Sequence, residues 1–189
     1  MAYCRVAIDP YACIVWAFLL LILPLQWMLA FFIAAVVHEL CHCAAVWLCG
    51  YRPCHVEIGV FGVRMDLPPL SGGQEFFCSL AGPLGGFLLL IFARWYPQLC
   101  ICGLIQSLYN LIPVYPLDGG RMLYCLCRMI CPDAAAVICK GVGILTVAAL
   151  LLWMIFARMG GMAMVVAGFL TVKILYGKIP CKPPILRVQ

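Results

Sequence analysis

Residues 25–49 form an apolar run with a polar island inside it, His38-Glu39-Leu40-Cys41-His42. Phe31, Phe32, Ile33, Val36 and Val37 lead into it, and Ala44, Ala45, Val46, Trp47 and Leu48 follow. A stretch of this kind is built for lipid, where a helix satisfies its own backbone groups. A carboxylate and two imidazoles are expensive in that setting, so they mark a functional site.

Their spacing gives them a shared purpose. Residues i and i+4 of a helix lie on one face, so His38 and His42 can aim both imidazoles at one ion. Glu39 is offset by about 100° around the helix, beside that ion rather than under it. Two imidazoles and an adjacent carboxylate in this order make the H-E-x-x-H arrangement of zinc hydrolases. There the carboxylate takes a proton from water activated by the metal. Inside an apolar helix the pattern is more specific than in a soluble chain, because a chance match carries a solvation penalty.

Composition agrees with a membrane setting. Of 189 residues 67% are hydrophobic, against about 45–50% in soluble domains. Seven acids and twelve bases are too few to cover a soluble surface. The net charge of +5 is spread between apolar spans and forms no basic patch, which argues against nucleic acid as a partner. Fourteen cysteines sit mostly inside or at the ends of apolar runs, where Cys acts as a small hydrophobe. Pairs such as Cys100 and Cys102 or Cys125 and Cys127 make no repeated C-x-x-C pattern, and free thiols are expected. The N-terminal segment has Arg5 and then an apolar run without a small-residue cleavage site, which reads as a retained first span rather than a removed leader.

About 20 apolar residues cross a bilayer. Counting such runs predicts an all-α polytopic membrane protein of about six transmembrane helices, forming one domain over residues 1–176. The helices are expected near 11–23, 25–49, 75–93, 99–114, 134–156 and 162–176. Pro24-Leu25-Gln26-Trp27 separates the first two, since Pro breaks the helix and Trp suits the interface. Between helices two and three, Val56, Ile58 and Val60, then Phe61, Val63 and Met65, alternate with polar or small residues. That pattern predicts a small membrane-surface β-hairpin near 55–66. Leu117-Asp118-Gly119-Gly120-Arg121 reads as a polar turn, and 177–189 as a basic tail. With the N-terminus inside, ten bases fall on inside segments and only Arg94 and Arg158 outside. This positive-inside bias predicts a cell-membrane protein with both termini and the His38–His42 end of its helix toward the cytoplasm.

A catalytic zinc needs a third protein ligand and an open position. Among the seven acids, Asp118 is the best third ligand. It follows the broken fourth span, on the same side of the membrane as the histidines, and Gly119-Gly120 would let the backbone bend there. A rival set of His38, Cys41 and His42 is conceivable, because Cys41 is i+3 from His38 and a thiolate binds zinc well. It would close the metal to water and crowd adjacent ligands. His55 reads as a solvated interfacial residue.

His38-Glu39-Leu40-Cys41-His42, together with Asn110-Leu111-Ile112-Pro113-Val114-Tyr115-Pro116-Leu117-Asp118-Gly119-Gly120, resembles the site-2 protease family of intramembrane zinc metalloproteases. That family pairs H-E-x-x-H in one span with N-x-x-P-x(4)-D-G in a later one. Ala81-Gly82-Pro83 looks like part of its middle core helix. The resemblance covers about residues 25–125. It is nearest the branch containing a sporulation protease that processes a membrane-associated sigma-factor precursor. It implies one Zn2+ held by His38, His42 and Asp118, Glu39 as general base, and Asn110 near the substrate or the developing oxyanion. It also implies a membrane-embedded or membrane-associated protein substrate. The chain departs from the family in three ways. Cys41 stands where a small residue is usual, the tail is too short for that branch's nucleotide-sensing domain, and no PDZ insertion lies between spans. The expected activity is therefore hydrolysis of peptide bonds in or near transmembrane segments. The alternative is a metal-binding transporter or scaffold without proteolysis.

Overall fold

The computed structural model describes residues 5–8, 24–51, 55–59, 62–66 and 70–157. The helices expected near 11–23 and 162–176, and the tail at 177–189, lie outside the described residues. The chain divides into two compact units, Met1–Leu70 with Ala81–Tyr109, and Ser71–Leu80 with Asn110–Gln189.

The first unit is built on α1, Leu25–Leu48. Pro24 precedes it, and its carbonyl accepts from Trp27 N at 3.0 Å and Met28 N at 3.2 Å. Proline fits there because the first N–H groups of a helix have no intrahelical acceptor. The helix stops at Gly50, whose φ is +85°. Gly50 N donates to Trp47 O at 2.9 Å and Tyr51 N to Val46 O at 3.1 Å. This is the Schellman arrangement, which needs a left-handed residue that glycine adopts without strain. At about 1.5 Å per residue, the 24 residues of α1 span about 36 Å, enough for a hydrocarbon core of about 30 Å. Leu25, Phe32, Leu40 and Leu48 are exposed, as side chains facing lipid should be.

Three strands belong to the same unit: β1 Arg5–Ile8, β2 His55–Gly59 and β3 Gly62–Asp66. β2 and β3 pair antiparallel, with His55 opposite Asp66 and Gly59 opposite Gly62. β1 pairs parallel to β2, with Arg5 opposite His55, so the sheet order is β1-β2-β3. The sequence reading had no β1. Four residues are too few to show an alternation, and a parallel partner across a long crossover leaves no local turn signal.

α2, Gly72–Leu88, continues as a 3-10 turn over Leu89–Phe92, starting earlier than the expected residue 75. Its start is a capping box: Gln74 N donates to Ser71 Oγ at 3.3 Å and Ser71 N to Gln74 Oε1 at 3.1 Å, satisfying two otherwise unpaired donors. α3, Pro97–Asn110, ends four residues short of the expected 114. Gly86 and Gly103 let α2 and α3 touch backbone to backbone: a β-carbon on Gly86 would overlap Ser107 Oγ and lie 2.7 Å from Gly103 O. The Ser107 hydroxyl donates to Pro83 O at 2.9 Å and the Cys100 thiol to Leu89 O at 2.8 Å. Ala30, Ala34, Leu89 and Cys102 form the buried cluster of this unit.

In the second unit the polar turn expected at 117–121 is instead the start of a helix. α4 runs from Asp118 to Ile130 (Asp118–Ile130) and α5 covers Ala135–Phe156. Gly119 and Gly120 are not hinges. A β-carbon on Gly119 would overlap Leu111 O, and one on Gly120 would overlap Tyr115 N and Val114 C. The 111–117 loop folds back against the first turn of α4, and only glycine leaves room. Tyr124, Ala135 and Cys139 form the core between α4 and α5, with Tyr115 and Leu123 against it. The Cys139 thiol donates to Gly120 O at 3.5 Å. Arg128 pairs with Glu75 at 3.7 Å and stands 5.9 Å from the centre of the Tyr124 ring.

Among the described residues three helices are long and apolar enough to cross a membrane: Leu25–Leu48, Gly72–Phe92 and Ala135–Met154. α4 is amphipathic and lies outside that set. It buries Tyr124 and Cys125 and exposes Arg121, Leu126, Met129 and Ile130.

Candidate metal centre

The two imidazoles are placed by α1 alone. His38 is 3% exposed and His42 half-buried. Their Nε2 atoms approach to 3.2 Å, with ring centroids 4.8 Å apart and planes at 83°. A tetrahedral zinc with Zn–N bonds of 2.0–2.1 Å separates two nitrogen ligands by about 3.3 Å. The pair therefore already has the spacing of two ligands on one ion. α2 faces the pair with the backbone of Gly82.

Glu39 follows His38 on α1 and is half-buried. Cys41 packs on α2: a β-carbon on Gly85 would overlap its Sγ. It is absent from the metal-capable group found among the described residues.

Asp118 is 8% exposed and begins α4. It lies in the first turn of α4, where the N–H groups have no intrahelical acceptor. Beside it, burial pushes the Tyr115 phenol above its usual range, opposed by the Arg121 charge. The Tyr115 hydroxyl is thus a neutral group at ordinary pH. Deeper in the unit, burial and then the Glu75 charge push the Cys125 thiol up to about 12.

His38, His42 and Asp118 each offer one ligand atom of a kind that binds a metal ion. Two neutral imidazoles and one carboxylate form a donor set that suits zinc. Asn110 is the last residue of α3 and half-buried. His55 lies in β2. Sequence reasoning passed over Gly82 as one of several small residues. The signal available was its place in the middle of a helix, where glycine is disfavoured.

No family model matches the chain. It is 27% identical over 139 residues to Stage IV sporulation protein FB of Bacillus subtilis (strain 168), covering 65% of this chain and 47% of that protein. It is 32% identical over 126 residues to Zinc metalloprotease MJ0392 of Methanocaldococcus jannaschii, covering 58% of this chain and 34% of that one. The chain thus spans less than half the length of these curated relatives. The solved Site-2 Protease from Methanocaldococcus jannaschii has the same fold, with a TM-score of 0.69, 20% identity and 92% of both chains covered. The long apolar helices mark a helical membrane protein. The chain is similar in sequence to these two relatives and in fold to the solved site-2 protease.

Proposed function

We propose that this chain is an intramembrane zinc metalloprotease that hydrolyses peptide bonds in or near transmembrane segments of membrane-associated proteins. His38, His42 and Asp118 hold the ion. Bound zinc supplies Lewis acidity, polarising a carbonyl and making water easier to deprotonate. Glu39 takes the proton from the attacking water and returns it to the leaving amine. Asn110, at the end of α3, holds substrate backbone or the developing oxyanion by its side-chain amide. The substrate helix unwinds locally to present an extended peptide. β3 stands at one edge of the sheet, and an extended segment adds there strand to strand.

The protein sits in the cell membrane as a multi-pass chain of about six spans, with termini and site toward the cytoplasm, following the distribution of its bases. One of its relatives is a sporulation protein, which makes sigma-factor precursors the first substrates to try.

The observation that carries the reading is the 3.2 Å approach of the two imidazole nitrogens in the interior of a membrane-length apolar helix. The test is co-expression with tagged single-span proteins and sigma-factor precursors. Glu39→Gln is expected to slow cleavage about 10²–10⁴-fold, the usual share of a general base, with zinc content unchanged. Wild-type cleavage that survives Glu39→Gln at full rate would rule out Glu39 as the base.

A further inference from the structure

α2 carries three glycines in its interior, Gly82, Gly85 and Gly86. Glycine in mid-helix is unfavourable relative to alanine, so each needs a reason. For Gly86 it is helix packing: the atoms a β-carbon would meet are Ser107 Oγ and Gly103 O. For Gly85 it is room for the Cys41 side chain. Gly82 is different in kind. A β-carbon there would overlap His42 Nε2, lie 2.5 Å from His42 Cε1 and lie 2.7 Å from His38 Nε2.

The two nitrogens that would be struck are the two donor atoms, and they are 3.2 Å apart. A point close to both of them is where a shared ion must stand, since zinc–nitrogen bonds are 2.0–2.1 Å long. Glycine at position 82 therefore lets α2 lie against both imidazoles without pushing their donor atoms aside. All three residues lie in one unit of the structure, so the argument is local to α1 and α2.

We propose that Gly82 is a positioning residue of the metal centre: its missing side chain lets the two imidazoles keep their Nε2 atoms side by side, so that even one methyl group at this position displaces the donor atoms. The inference rests on the zinc-binding reading given above.

The test compares full-length wild type, Gly82→Ala, Gly86→Ala and Gly73→Ala in detergent. Zinc affinity is read in metal buffers and cobalt(II) coordination from its visible absorption. Gly82→Ala is expected to weaken zinc about 100-fold, the upper end of effects from residues supporting a ligand, and to alter or abolish the cobalt spectrum. Gly86→Ala, which strikes Ser107, and Gly73→Ala, which has no atom within 4 Å, keep the wild-type spectrum and an affinity within about threefold, well below the 10–100-fold of ligand-supporting residues. Gly82→Ala binding zinc as tightly as wild type overturns the inference and leaves the protease reading standing. Wild type that binds no zinc overturns both.

Should Gly82→Ala be unstable, the metal-free proteins decide. The loss of melting temperature is expected to shrink when Gly82→Ala is combined with His42→Ala, since the overlapping imidazole is then gone and only the 2.7 Å approach to His38 Nε2 remains. An equal loss in the His42→Ala background means that glycine serves the backbone, and the inference falls.

Discussion

α1 and α4 both contribute to the proposed metal site, and they are built by opposite means. α1 has 24 residues, is apolar on every side and carries its imidazoles in mid-helix, where each backbone group is already satisfied. α4 has 13 residues, is amphipathic and carries its carboxylate in the first turn. The histidines are aligned by the helical repeat itself. The aspartate is held by a loop folded back onto a helix terminus, through contacts that two glycines make possible. A ligand in mid-helix depends on its own helix. A ligand at a terminus depends on whatever packs against that terminus.

The sharpest way to break this contrast is Gly119→Ala. The new methyl would overlap the Leu111 carbonyl, which is backbone and cannot rotate away. A cost of about 1–3 kcal/mol, as for overpacked cores, is expected in unfolding measurements in detergent, together with lower activity. A silent Gly119→Ala would mean that the loop does not set the start of α4. Within the first unit, Ser107→Ala removes the hydroxyl that donates to Pro83 O at 2.9 Å. A loss of about 1 kcal/mol is expected, with zinc binding retained, because this bond secures α2 to α3 without touching the histidines.

The smallest effect belongs to the Arg128–Glu75 pair, whose side chains are 23% and 32% exposed. Glu75→Gln should change stability by less than about 1 kcal/mol, less still at high salt. It has a more sensitive readout in the Cys125 thiol, pushed up to about 12 first by burial and then by the Glu75 charge. Removing that charge lowers the thiol pKa, so Cys125 alkylation at pH 9–10 should quicken. In wild type the stability linked to this protonated thiol is complete below pH 9, the ordinary value. It declines as the pH rises toward 12, because only the unfolded chain then releases the proton readily.

Much of this was legible in the sequence. The run from Pro24 through Gly50 announces its helix by length, and His38, Glu39 and His42 announce their chemistry by spacing. Asp118 was legible as the acid left over after the others were placed, and from the likeness of Asn110 to Gly120 to N-x-x-P-x(4)-D-G. α4 was missed because Asp118-Gly119-Gly120 looks like a turn. Met122, Leu123, Leu126 and Met129, spaced at three and four, were the helical signal against it. Gly82 could be read only as a glycine out of place in mid-helix, since nothing in its neighbourhood names the imidazoles that face it.

The sequence by itself determined the membrane character, the long apolar helices and the pairing of two imidazoles with a carboxylate, because helical periodicity and hydrophobicity are properties of local stretches of chain. Tertiary structure alone decided which glycines are contacts rather than hinges, that Cys41 packs on α2, and what space faces the imidazoles. Those depend on the surface that a distant segment presents, and steric exclusion between segments leaves no trace in either segment's own pattern.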